Sequence, residues 1–344
     1  MSELPAFLNT DSSIHVIAEI GVNHNGSLQM AFKLIEEAKA CGAHSVKFQS
    51  YRSDLLASDC TPKVKYQLNT QLDSESHQDM LKKYELSLSD HISLQKCCSR
   101  NNILFTSTPY DPMSAEMLNK LQVPYIKVAS ADIIDFELHS SILSTGLPLV
   151  LSTGMATIDE ISAALRFYDS TTDICLLHCV SNYPCSDSSL NLSCIPSLEK
   201  AFGIHVGFSD HSNGSEAAIC AFVQGSRVFE RHFTLDKSLE GPDHKASSDI
   251  QDLGRYILSL QRVTKMLGSP QKLVQKEELE MRSISRKSAH WNVSLKKNTP
   301  FSRSHFSMRR PATGISFTQS QTLLNFVITR DVYAGDPILL SDFK

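Results

Sequence analysis

Short apolar and β-branched runs alternate along this chain with longer amphipathic stretches. The strand-like runs are His15–Glu19, Ser45–Gln49, Ile103–Thr106, Tyr125–Ala129, Leu147–Ser152, Ile174–His178, His205–Phe208 and Arg227–Glu230. Helical patterns follow at Leu28–Cys41, Ser89–Arg100, Ser114–Lys120, Glu137–Ser144, Ile158–Tyr168, Ile195–Ala201, Ser215–Gln224 and Asp252–Leu267. In the first of these, Ala31, Leu34, Ile35 and Ala38 share one face at the i, i+3, i+4, i+7 spacing of an amphipathic helix. Leu147-Pro-Leu-Val-Leu is almost continuously apolar, as a parallel strand covered by helices should be. Strand–helix alternation repeated eight times predicts an α/β fold, a (β/α)8 TIM barrel.

Two stretches break the pattern. About forty residues separate Gln49 from Ser89, many of them polar, as in Thr61-Pro-Lys-Val-Lys-Tyr-Gln. Connections this long inside a compact domain are usually functional, and this one leaves the second strand's end, so it is expected over the barrel mouth. After Gly268-Ser-Pro the alternation stops. The predicted division is a barrel over 1–270, a linker or short helix over 271–282, and a small β-rich domain over 283–344, with β-like pieces such as Asn325-Phe-Val-Ile-Thr. No internal repeat or low-complexity tract appears.

Composition narrows the class. The chain has 344 residues, 41% hydrophobic and 20% charged, as a globular protein does. No apolar run approaches the ~20 residues of a membrane helix, and the start, Met-Ser-Glu-Leu-Pro-Ala-Phe, does not read as a secretory signal. Nine scattered cysteines suit a reducing cytoplasm better than a disulfide framework. The net charge of −4 is uneven: ten Lys/Arg face three Asp/Glu from Met281 onward, leaving an acidic body. A basic tail on an acidic body suits docking or closure over an anionic substrate at least as well as nucleic-acid binding, so neither a nucleic-acid nor a membrane partner is expected.

Nearly every strand pattern ends in polar residues. In order these are Glu19; Lys47 and Gln49; Ser107-Thr108; Lys127 and Ser130; Ser152-Thr153-Gly154; His178 and Ser181-Asn182-Tyr183; Ser209-Asp210-His211; and Glu230 with His232. In a barrel these positions share one mouth. Lysines and hydroxyls there suit phosphate or carboxylate. His211 and His232, on neighbouring strands, suit a divalent metal or acid/base work. Glu19 and Glu230 could orient a hydroxyl or take a proton. Singly, a serine at a strand end usually caps a helix and a lone histidine is usually structural; the joint pattern is what points to an enzyme.

Ordered segments carry a resemblance: Ile17-Ala-Glu-Ile-Gly-Val-Asn-His-Asn-Gly26, Val46-Lys-Phe-Gln49, Tyr125-Ile-Lys-Val-Ala-Ser130, Leu151-Ser-Thr-Gly-Met155, Leu177-His-Cys-Val-Ser-Asn-Tyr-Pro184, Gly207-Phe-Ser-Asp-His211, Glu230-Arg-His-Phe-Thr-Leu-Asp236 and Gly241-Pro-Asp-His-Lys-Ala-Ser247. They resemble the sialic acid synthase family, and Arg309-Arg-Pro-Ala-Thr-Gly314 resembles its C-terminal antifreeze-like domain. The resemblance implies condensation of phosphoenolpyruvate with an N-acetylated hexosamine, giving a nine-carbon 2-keto acid. It implies manganese or magnesium on His211 and His232, and Glu19 at the reacting centre. Lys47, Lys127, Ser130, Ser152, Ser181 and Ser209 would surround phosphoenolpyruvate. Gln49, Tyr183 and Asp243 would face the sugar, and Arg310 would reach it across a domain-swapped homodimer. The chain departs from the family pattern with Ala131 and Ala312 where glycines are usual, and it lacks the usual Lys-Gly turn near Lys296. Two other readings compete: a Schiff-base aldolase with Lys127 as nucleophile, and a non-catalytic sugar- or phosphate-binding protein on the same scaffold.

Overall fold

A computed structural model describes residues 6–8, 14–57 and 77–344. Its core is an eight-stranded sheet in the order β3-β2-β1-β8-β7-β6-β5-β4. The strands are β1 (His15–Gly21), β2 (Ser45–Ser50), β3 (Leu104–Pro109), β4 (Ile126–Val128), β5 (Leu149–Ser152), β6 (Ile174–His178), β7 (Val206–Ser209) and β8 (Val228–His232). Every ladder among them is parallel. The two ends of the sheet, β3 and β4, touch, and Thr106 Oγ1 donates to Tyr125 O at 2.7 Å across that seam. The sheet is thus a nearly closed (β/α)8 barrel, as the alternation predicts.

The helices begin where the sequence supplies caps. Ser27, Ser87, Asp111, Asp135, Thr157 and Asp249 each accept the backbone N–H three residues on, satisfying a donor that the first helical turn leaves free. Each cap sits at the end of a loop leaving the barrel mouth, so it also fixes how far that loop runs. The helix Leu28–Ala40 buries Ala31, Leu34, Ile35 and Ala38, the face read from its spacing.

Several strands run further than the apolar pattern suggests. β3 continues through Thr106, Ser107 and Thr108, all fully buried. Ser107 Oγ and His91 Nε2 both lie 2.7 Å from Ser50 Oγ, which satisfies this polar interior. β8 continues to His232 past Arg231, whose charge is met by Asp210 at 2.9 Å. The long connection after β2 contains two helices, Ser53–Leu56 and His77–Tyr84; its central stretch, 58–76, lies outside the described residues.

At the opposite end, Leu8 is fully buried with Ile17, Tyr125, Val150, Cys175, Leu177 and Val228 inside the barrel. His15 bonds Leu8 O at 3.1 Å and Ser45 Oγ at 2.9 Å. The chain divides into two compact units, Met1–Gly268 and Ser269–Lys344. The second opens with the helix Leu279–Ser285 and pairs β9 (Ser288–Trp291) with antiparallel β10 (Phe306–Arg309) around Trp291, Phe301, Phe306, Ile328 and Ile338. Ala131 and Ala312 both stay outside the left-handed backbone region, so neither departure from glycine strains the chain. Among the described residues no helix is long and apolar enough to cross a membrane.

Burial, and then its neighbour His44, pulls His15 down to about 3. It therefore stays neutral in the barrel while the unfolded chain takes up a proton below about 6.5. Stability carried by this group is complete above that pH and is lost as pH falls toward 3. In denaturant titrations between pH 6.5 and 4, His15→Gln should flatten the decline in unfolding free energy by about 1.4 kcal/mol per pH unit. An unchanged slope would show that His15 is protonated while folded.

Candidate active site

Four charged side chains meet at the mouth, delivered by four strands and all buried: Glu19 from β1, Lys47 from β2, Lys127 from β4 and Glu230 from β8. Lys47 Nζ lies 2.8 Å from Glu19 Oε2 and 3.9 Å from Glu230 Oε2. Lys127 Nζ lies 3.7 Å from Glu230 Oε1. Hydroxyls complete the set. Lys47 donates to Thr108 Oγ1 at 3.0 Å, Lys127 to Ser152 Oγ at 2.7 Å, and Ser209 to Glu230 Oε1 at 3.0 Å. Gln49 Nε2 donates to Glu19 Oε1 at 3.3 Å.

The two carboxylates differ because their surroundings differ. Burial raises both, but Lys127 and Lys47 together overcome it at Glu230, holding it down at about 2. Glu19 has Lys47 close by yet also feels Glu230, and burial dominates, leaving it up at about 7. Glu230 is thus held toward its ionised form, and Glu19 is the carboxyl of the two that takes up a proton more readily. Burial pulls both lysines down; Glu19 and Glu230 more than reverse this for Lys47, while Lys127 stays below its ordinary value.

The histidines converge. The His211 and His232 rings lie 5.6 Å apart, with Tyr183 at 4.1 Å from the first and 5.3 Å from the second, all between ring centroids. Burial keeps both imidazoles neutral, with His232 at about 3. His211 Nδ1 donates to Val180 O at 2.8 Å, which leaves Nε2 as the lone-pair nitrogen. Neutral, oriented imidazoles are the form that binds a metal. Among the described residues no group of three or more His, Cys, Asp or Glu forms a metal cage. An ion held by this pair would take its other ligands from substrate or water.

An open cavity of about 920 Å³, its entrance included, is lined by Glu19, Lys47, Gln49, Lys127, Ser130, Ser152, Ser181, Tyr183, Ser209, His211 and His232. Two expected residues stand elsewhere. Asp243 is off the cavity wall, 4.0 Å from His232 Nδ1, and Arg310 is an exposed residue of the second unit. The wall also contains residues that the strand-end pattern passes over: Tyr110, Met155 and Cys179. Tyrosine, methionine and cysteine read as core residues in a sequence; only the position of Tyr110 directly after Ser107-Thr108-Pro109 could have marked it. Asp132, two residues past Ser130, was also passed over. Its Oδ2 is buried without a hydrogen-bond partner, and burial and then Asp135 raise it to about 7.

Gly154 lies against three residues of this wall. Its N–H donates to Ser130 Oγ at 3.0 Å. A Cβ there would meet Ser181 Oγ at 2.4 Å, Cys179 Sγ at 2.7 Å and Ser130 Oγ at 2.8 Å. Three small polar side chains can crowd this point because glycine leaves it bare.

Residues 34–272 match the NeuB family. An N,N'-diacetyllegionaminic acid synthase of Campylobacter jejuni is 38% identical over 328 residues, covering 94% of this chain and 98% of that protein. The human N-acetylneuraminate-9-phosphate synthase is 33% identical over 265 residues, covering 75% of this chain and 72% of its own length. Among solved structures, the N-acetylneuraminic acid synthetase of Leptospira borgpetersenii aligns with a TM-score of 0.68 at 32% identity, covering 78% of this chain and 90% of that one.

Glu230→Gln leaves two buried ammonium groups facing a single carboxyl, so it should destabilise the barrel by about 3–5 kcal/mol. Adding Lys127→Met removes one of those ammonium groups and should recover a large part of the loss in the same denaturant titration. No recovery would mean that the charges do not compensate one another.

Proposed function

The chain belongs to the NeuB family, and we propose that it condenses phosphoenolpyruvate with an N-acetylated hexosamine to form a nine-carbon sialic-type 2-keto acid, releasing phosphate. One observation carries this reading: a fixed anion and a carboxyl poised near neutral pH share a mouth with two buried lysines, a row of hydroxyls and a pair of neutral imidazoles. The name of the Campylobacter relative makes a diacetamido hexose the first acceptor to try, ahead of N-acetylmannosamine.

Lys47, Lys127, Ser130, Ser152, Ser181 and Ser209 hold the carboxylate and phosphate of phosphoenolpyruvate, with charge-assisted hydrogen bonds strengthened by the absence of bulk water. Gln49 and Tyr183 face the sugar, with Asp243 behind His232. His211 and His232 would hold a divalent manganese or magnesium ion, which supplies polarisation of the sugar's aldehyde oxygen. Carbon 3 of phosphoenolpyruvate then bonds to the aldehyde carbon as the enol double bond gives up its electron pair, while the carbonyl π pair moves onto the aldehyde oxygen, which takes a proton from water. Water adds to carbon 2, and Glu19, ionised in part near pH 7, takes its proton. The tetrahedral centre collapses to the ketone, and the C–O bond to phosphate breaks. The eight described cysteines are all free thiols, which supports work in a reducing cytoplasm.

Incubation with phosphoenolpyruvate, manganese and a panel of N-acetylated hexosamines should release phosphate and give a keto acid, identified by mass spectrometry, with at least one sugar. Silence across the panel would favour a binding protein. Borohydride trapping should leave Lys127 unlabelled; a covalent adduct would favour the Schiff-base aldolase, the reading to which its lowered pKa lends some support. His232→Ala should lose turnover even with excess manganese, and full activity would remove the metal role.

Arg310 is proposed to complete the mouth from a partner chain in a domain-swapped homodimer. Chains carrying His232→Ala and chains carrying Arg310→Ala, each inactive alone, should then regain about a quarter of wild-type activity when refolded together, because half of the dimers pair unlike chains and each of these holds one intact site. No regain would place both residues in sites built from a single chain.

A further inference from the structure

We propose that Tyr110 selects the acceptor: its phenolic O–H donates to a hydroxyl or N-acyl oxygen on the sugar. The inference rests on the condensation reading above and adds a residue to it.

The ring is held firmly. Tyr110 follows β3 directly, and its backbone N–H donates to Ser50 O at the end of β2, 3.0 Å away. The ring packs against an apolar cluster of Val22, Tyr51, Ala57, Met80, Leu81 and Tyr84. It meets Tyr51 edge-on, with centroids 6.2 Å apart and planes at 76°. Tyr51 is itself pinned by a hydrogen bond from its hydroxyl to Leu81 O at 3.0 Å. A ring fixed on this side presents its hydroxyl to the cavity that it lines.

That hydroxyl makes no hydrogen bond to any described residue, unlike the phenols of Tyr51 and Tyr125, which are both engaged. A phenol at the cavity wall with no partner among the described residues is free to donate to a ligand oxygen. Burial, and then the carboxyl of Asp132, push the phenol well above its ordinary value, so it remains a donor. A hydroxyl or amide oxygen of the sugar is the acceptor that such a donor fits. Leaving such a donor unpaired also discriminates against sugars lacking that oxygen.

Tyr110→Phe keeps the ring and its packing and deletes only the unpaired O–H. At saturating phosphoenolpyruvate the variant should raise the KM of the sugar about three- to tenfold, leave the KM of phosphoenolpyruvate within about twofold, and hold its thermal midpoint within about 2 °C of wild type. An unchanged sugar KM, or equal shifts for both substrates, would overturn the role of Tyr110. If wild type turns over no sugar at all, the condensation reading itself fails and this inference falls with it, whereas an active wild type with an indifferent variant defeats the inference alone.

Discussion

The mouth depends on mutual compensation among four buried charges. Each of Glu19, Lys47, Lys127 and Glu230 would be prohibitively costly to bury alone, and each is held by the others and by Thr108, Ser152 and Ser209. The strands that deliver them are spread around the barrel: β1 pairs with both β2 and β8, while β4 stands at the far end of the sheet order. The arrangement therefore ties the chemistry to closure of the whole barrel, not to any one loop. It also makes the asymmetry between the carboxyls possible, since Glu230 feels two lysines strongly and Glu19 is dominated by burial.

Around this charged centre the site mixes groups of different physical character. Serine hydroxyls, lysines and uncharged groups such as Gln49, Tyr110 and Tyr183 share one wall, with Gln49 bonded to Glu19 and Tyr183 packed on His211. The imidazoles stay neutral because burial and the nearby lysines oppose a proton on either ring. Electrostatics that keep one carboxylate charged thus keep two histidines uncharged, so proton transfer and ligand binding fall to different groups within one small volume.

Much of the barrel was legible in the sequence because covered parallel strands are apolar on both faces and their helices have one apolar face. The limits of that legibility are instructive. Arg231 sits inside β8, where a charge reads as the end of a strand, yet Asp210, Ser212 and Ser248 satisfy it in place. The polar pair Ser107-Thr108 likewise reads as the end of a strand and proves to lie inside one, because its partners come from residues distant in sequence. At the site, strand-end polarity marks lysines, hydroxyls and histidines, but not Tyr110 or Cys179, whose chemistry shows only when the wall they occupy is known. The second unit shows little alternation because it is held largely by isolated bridges and aromatic packing around Trp291 rather than by long ladders.

The crowding at Gly154 has a consequence for how such enzymes can diverge. Ser130, Cys179 and Ser181 close so tightly over that glycine that not even a methyl group fits, and all three line the cavity together with the charged quartet. These positions have no room in which to drift. Variation in what the enzyme makes must accumulate at other residues of the wall, Tyr110 among them. Lineages with different products would then keep this crowded corner and differ in the residues that frame the incoming sugar.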